Sequence, residues 1–214
     1  MTRVLVYSRT TGYRHDSIPA GVRALEQADG LQVVASEEPS ALHSLDAYDV
    51  VLFLSATGDV LDDAGRAELR RFVEAGGGFV GVHGASAAET SWDFYAELVG
   101  ARFLSHPQGC QDAEVRVADA SHPSTAGLPD PWRFNDEWYA VSSLRDDLQL
   151  LLTVDESTYE PGEFTMPGRH PQAWCRPVGA GRSWYTALGH HAEVWSDPTF
   201  LGHVLGGIAW AAGR

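Results

Sequence analysis

The run Asp49 to Ala56 (DVVLFLSA) constrains this chain most. From Val50 to Leu54 it is apolar on both faces, so a strand built from it must be covered on both sides. That pattern belongs to a parallel sheet between helices. Arg3 to Ser8 (RVLVYS), Gln32 to Ser36 and Phe79 to Val82 supply further short strands, with amphipathic segments between them. Ser17 is a candidate N-cap and Pro19 suits a first turn, which predicts a helix to about Ala28 with Ile18, Val22 and Leu25 on one face. Pro39 to Leu45 reads as a short helical turn. Asp62 caps a further helix whose Leu69, Phe72 and Val73 share a face, and the glycines Gly76 to Gly78 end it. The order β-α-β-α-β-α-β with short connections predicts an α/β fold: a doubly wound, mostly parallel sheet in a flavodoxin-like arrangement.

The second half is less regular. Trp92 to Val99 reads as a helix, Ala113 to Ala118 and Leu148 to Val154 as strands, and Tyr159 to Pro171 as a Pro- and Gly-rich loop over the site. Gln172 to Leu188 reads as a hairpin turning at Gly179-Ala180-Gly181-Arg182, a C-terminal extension of the sheet. A last helix starts at Asp197-Pro198 and is expected to bury Leu201, Val204, Leu205 and Ile208. No linker, repeat or low-complexity tract divides residues 1–214, so one domain is expected.

Composition narrows the function. A net charge of −14 and the lack of any basic run argue against nucleic acid or an anionic membrane as partner. No apolar run approaches the roughly 18–20 residues that span a bilayer. The early strand argues against a cleavable signal peptide, so a cytoplasmic location is expected. Cys110 and Cys175 form no metal-binding spacing and read as free thiols. Size alone suggests a homodimer as the default assembly.

Three loops should converge at the carboxyl ends of the strands, where folds of this kind place ligands. They carry Arg14-His15, His83 within a glycine-framed turn (Gly81-Val82-His83-Gly84), and His190-His191-Ala192-Glu193. Imidazoles carry protons near neutral pH, and a carboxylate beside one can orient it. Neighbouring side chains in an extended segment face opposite ways, so of His190 and His191 only one should point inward; His190 is preferred. Of the acidic pair Asp136 and Glu137, Glu137 is preferred as the working carboxylate. His106 and His170 precede prolines in loops and either fix turns or touch substrate. Trp92, Trp138 and Trp195 could offer aromatic faces to a sugar ring. His122 reads as turn structure, and His43 and His203 as structural or surface residues.

The segment Gly81-Val82-His83-Gly84-Ala85, followed late in the chain by His191-Ala192-Glu193, resembles the class I glutamine amidotransferase fold. There the turn reads Gly-x-Cys-x-Gly, and a later His-Pro-Glu supplies the base and its orienting carboxylate. Here His83 stands at the cysteine's place, and an imidazole does not replace a thiolate in thioester chemistry. Glutaminase activity is therefore not expected.

A closer resemblance, over nearly the whole chain, is to the trehalose-utilisation (ThuA-like) family. It rests on Tyr13-Arg14-His15-Asp16-Ser17, Gly77 to His83, Ser121-His122-Pro123, Asn135-Asp136-Glu137-Trp138-Tyr139 and His170-Pro171-Gln172-Ala173-Trp174. Gly181-Arg182, Tyr185 to His190, and Glu193-Val194-Trp195-Ser196-Asp197-Pro198 leading into Gly206-Gly207-Ile208 complete it. The resemblance implies a role in disaccharide or keto-sugar catabolism. The resulting expectation is an acid-base enzyme with His83, His190, Glu137 and His15 as catalytic groups and a small sugar as substrate. Arg14, His106, Trp138, His170, His191, Glu193 and Trp195 are the expected substrate contacts. No cofactor is expected. The alternatives are a metal-dependent hydrolase or isomerase using the histidines with a divalent transition metal, and a non-catalytic sugar-binding module.

Overall fold

The structure, a computed structural model, describes residues 1–214. Strands β1 (Thr2–Tyr7), β2 (Leu31–Ser36), β3 (Val50–Leu54) and β4 (Gly78–Val82) alternate with helices α1 (Ile18–Glu26) and α2 (Asp63–Glu74) and a short 3₁₀ turn, Pro39–Leu42. They pair in parallel in the order β2-β1-β3-β4, the doubly wound arrangement that the sequence predicts. Helix α3 (Asp93–Val99) follows, then β5 (Arg102–Ser105), β6 (Gln111–Val117), β7 (Trp132–Asp136), β8 (Ala140–Ser142) and β9 (Gln149–Val154). The chain closes with β10 (His170–Val178), β11 (Gly181–Thr186) and helix α4 (Pro198–Ala211).

Strand periodicity sorts the apolar residues into two cores. Val4, Val6, Val50, Leu52, Leu54, Val80 and Val82 face α1 and α4, while Leu5, Tyr7, Val51, Phe53 and Phe79 face α2 and α3. Successive strand residues point to opposite faces, so a continuous apolar run fills both layers.

The expected hairpin is present, but it is no appendage. Strand β11 pairs in parallel with β4 and antiparallel with β10, and the full order is β2-β1-β3-β4-β11-β10-β9-β6-β7. The hairpin thus enters the middle of the nine-stranded sheet, and the terminal element is helix α4. Burial drives this: Trp184 and Tyr185 face opposite layers and are both fully buried.

Other local expectations shift. Ser17 has helical backbone angles and makes no side-chain cap, whereas Asp62 accepts from Gly65 N at 2.8 Å as a cap should. The buried stripe of α4 is Phe200, His203, Val204, Gly207, Ile208 and Ala211; Leu201 and Leu205 are only half-buried. The stripe rotates because Gly207 sits directly on the Trp184 ring. Strands β5, β7 and β8 fall where the sequence shows only irregular chain.

Strand direction places the site. β1, β4 and β11 are parallel, so the loops carrying His15, His83 and His190 leave from one edge. Four successive antiparallel pairings lead from β11 through β10, β9 and β6 to β7. An even number of reversals returns β7 to the direction of β11, so Asp136-Glu137 leaves from that same edge.

Candidate functional site

His83 closes β4 with φ of +51°, an unusual backbone for a side chain with a Cβ. Tyr185 holds it there, donating its hydroxyl to His83 O at 2.8 Å. The framing glycines make room: a Cβ at Gly81 would come within 2.9 Å of Tyr185, and one at Gly84 within 3.0 Å of His15. His83 Nδ1 lies 2.6 Å from Ala187 O, which can only accept. Nδ1 therefore carries a proton, and in the neutral ring the Nε2 lone pair is free to accept. Tyr139 donates its hydroxyl to that Nε2 at 2.9 Å and stacks on the ring.

Glu137 stands among three imidazoles. Its carboxylate lies 3.5 Å from His83 Nε2, 3.2 Å from His190 Nδ1 and 3.6 Å from His106 Nε2. The approach of His190 Nδ1 is too oblique for a linear hydrogen bond, leaving an ion-pair contact. Partial burial pulls the Glu137 pKa up, but the His190 and His83 contacts outweigh it and hold the carboxylate well below its usual range. Contact with Glu137 raises His190 in return, against its partial burial.

His15 completes the floor of the site. Its ring lies 4.5 Å from that of His83 and 5.3 Å from that of His190. It is only 4% exposed, and its Nδ1 is buried with no partner. Burial first, then the two neighbouring histidines, push its pKa down to about 3, so the ring is neutral. One ligand-capable atom from each of His15, His83, Glu137 and His190 lies within 4.8 Å of all the others, a set that could hold a metal ion.

Asp136 does different work. Fully buried, it accepts backbone N–H bonds from Gly189 at 2.7 Å, His190 at 2.9 Å and Glu137 at 2.8 Å. One carboxylate thereby ties the β7 end to the β11 end. Burial raises its pKa, against the opposing pull of His83 and those three amides.

The structure brings His15, His83, His106, Glu137 and His190 together. His191 turns outward, 2.9 Å from Asn135 Oδ1, as alternation from His190 requires. The remaining expected substrate contacts lie elsewhere. Arg14 pairs with Glu37 at 2.6 Å in a separate surface groove. Trp138, just past the end of β7, is 1% exposed in the core and donates its indole N–H to Gln111 O. Trp195 is 3% exposed against Phe200. Glu193 is exposed at the start of a 3₁₀ turn and orients no histidine. His170 is buried; its Nε2 donates to Tyr139 O at 2.9 Å and its Nδ1 lies 2.8 Å from Glu156, so it supports Tyr139 from behind.

Among the other histidines, His122 binds Ser124 within its turn, His43 pairs with Asp62 on the surface, and His203 is buried in α4. Both cysteines are free thiols; burial, then the Asp136 and Glu137 charges, push Cys110 up to about 11, which leaves it a poor nucleophile. Trp92 packs against Phe94.

Sequence reasoning missed two aromatic residues. Tyr139 closes the Asn135-to-Tyr139 block, and that block is its only signal. Tyr13 is 67% exposed and packs edge-on against His15 at 4.8 Å, placing an aromatic ring at the rim. A surface cavity of about 610 Å³ lies along β6 and β7 between Asp112, Glu114, Arg133 and Thr158 and excludes the imidazole cluster. Convergent chemistry, not volume, marks the candidate site.

A family model described as trehalose utilisation (ThuA) matches residues 3–211. No curated protein matches the chain. Among solved structures, a ThuA-like protein of Bacteroides uniformis is 23% identical with a TM-score of 0.77, over 98% of this chain and 91% of that one. A ThuA-like protein of Parabacteroides merdae is 20% identical with a TM-score of 0.75, over 99% and 90%. A cytoplasmic protein of Salmonella typhimurium shares the fold at 12% identity and a TM-score of 0.67, over 99% of each chain. No helix of this chain is long and apolar enough to cross a membrane. The chain belongs to the trehalose-utilisation (ThuA) family.

Proposed function

We propose that this ThuA-family chain is an enzyme of carbohydrate catabolism that moves protons at an oxygen-bearing carbon of a disaccharide or keto-sugar derivative. The observation that carries the reading is the position of Glu137, its carboxylate within 3.6 Å of His83, His190 and His106. A carboxylate shared among imidazoles allows one ring to hold a proton while another offers a lone pair. His83, with Nδ1 committed to Ala187 O, offers Nε2 as the base. His190, paired with Glu137, is the proton donor.

Exposure sets the direction of approach. The side chain of His83 is 0% exposed, that of Glu137 14%, of His190 22% and of His106 28%. A substrate enters over His106 and His190 and meets His83 last, in the driest part of the site. Tyr13 at the rim offers a face suited to the apolar side of a sugar ring. The family description, trehalose utilisation, supports a sugar as the substrate class.

The test is turnover of ordinary and oxidised disaccharides by the native chain, His83→Ala and Glu137→Gln. Each variant should lose about 10²–10⁴-fold in kcat, the usual contribution of a positioned acid or base. Unchanged turnover in His83→Ala would remove that residue from the reaction. Sugar binding without turnover on any substrate would leave a binding module instead.

A further inference from the structure

We propose that the same cluster, on the reading above that it is the reaction centre, binds one divalent transition-metal ion through His15, His83, His190 and Glu137. Four side chains converge within 4.8 Å, and the contacts already have the spacing of a ligand set. Donors at about 2.0–2.1 Å from a tetrahedral ion lie roughly 3.4 Å from one another. Glu137 Oε2 is 3.5 Å from His83 Nε2 and 3.2 Å from His190 Nδ1.

The hydrogen bonds point the same way. His15 Nδ1 is buried without a partner, and His190 Nδ1 makes no hydrogen bond beside its oblique contact with Glu137, although buried polar atoms are almost always satisfied. His15 is 96% buried (4% exposed), and its unpartnered ring sits directly against His83 and His190. His83 carries the outer hydrogen bond that orients metal-binding imidazoles: Nδ1–H to a backbone carbonyl, with Nε2 turned to the cluster. Three imidazoles and one carboxylate suit Zn²⁺ or a neighbouring first-row ion better than Ca²⁺ or Mg²⁺. Tyr139 gives up its bond to His83 Nε2 when the ion takes that lone pair. An ion held there would supply Lewis-acid polarisation of a substrate oxygen.

The experiment strips the full chain with a chelator, then titrates it with Zn²⁺ by calorimetry and with Co²⁺ by visible absorption. One ion per chain is expected, with the intense visible bands of tetrahedral Co²⁺. His15→Ala and the milder His15→Gln should each weaken binding by about tenfold or more, while the surface variant His43→Ala should match the native chain. Absence of stoichiometric binding overturns the proposal, as does equal affinity in the His15 and His43 variants. Turnover measured on the same stripped protein separates the two readings. Activity that survives without metal keeps the acid-base enzyme and removes the ion. Tight stoichiometric binding with no turnover on any sugar keeps the ion and removes the enzyme.

Discussion

At the scale of single residues, His83 owes its state to three partners distant in sequence: Tyr185 on its carbonyl, Ala187 on Nδ1 and Tyr139 on Nε2. The glycine-framed turn makes His83 conspicuous in the sequence, yet nothing local says which nitrogen faces the site. Tyr139 decides what meets that lone pair. Tyr139→Phe keeps the stacked ring and removes the donor, so kcat should fall by about 10- to 100-fold while the far-UV spectrum stays native. An unchanged pH-rate profile together with unchanged kcat would show the phenol to be packing only. The tryptophans make the opposite point. Trp138 and Trp195 stand beside site motifs in sequence but are buried in the core, the one in the segment after β7 and the other in a 3₁₀ turn.

Elements act through their register. The hairpin β10–β11 is readable from its Gly179-Ala180 turn, but its insertion beside β4 depends on pairings some hundred residues apart. Helix α4 locks the insertion, with Gly207 against the Trp184 indole; a Cβ there would lie 2.5 Å from ring atoms. Gly207→Ala should therefore cost about 1–3 kcal/mol through overpacking. In a chain of this size each kcal/mol lowers Tm by roughly 2–4 °C. A variant that melts with the native protein would mean the helix can shift at no cost. Strand β7 shows why Glu137 was legible only as a residue type. Trp132 and Phe134 alternate with Arg133 and Asn135, but Pro129 and Pro131 beforehand give the stretch the look of a loop. Without β7, nothing in the sequence brings Glu137 to the edge that holds the histidines.

For the whole molecule, buried neutral histidines couple stability to pH. His203 lies between Trp184, Trp132, Thr186 and Ser124, with His122 nearby; burial foremost, and His122, push its pKa down to about 4 against a hydrogen bond to Ser124 O. The unfolded chain takes up a proton near pH 6.5, where the folded chain refuses it, so the unfolded state binds more protons across that window. Stability is then fully present above about pH 6.5 and falls as pH drops toward 4, by up to roughly 3 kcal/mol from this residue. Denaturant titrations at pH 7 and pH 4.5 should show the loss, and His203→Gln, which cannot take the proton, should flatten the slope. A native slope no steeper than that of the variant would count against the assignment. His15, pushed down to about 3, acts in the same direction.

The doubly wound sheet was settled by the sequence itself. Val50 to Leu54 is apolar on both faces, and that local period permits little other than a covered parallel sheet. The same pattern places His15 and His83 at one edge, because parallel strands release their loops on one side. The tertiary structure decided the rest. It turned His190 inward and His191 outward, sent Arg14 to Glu37, buried Trp138 and returned Glu137 to the histidines through four antiparallel pairings. Periodicity is written within a few residues, whereas strand partners and hydrogen-bond acceptors lie up to a hundred residues away and are chosen only when the cores close.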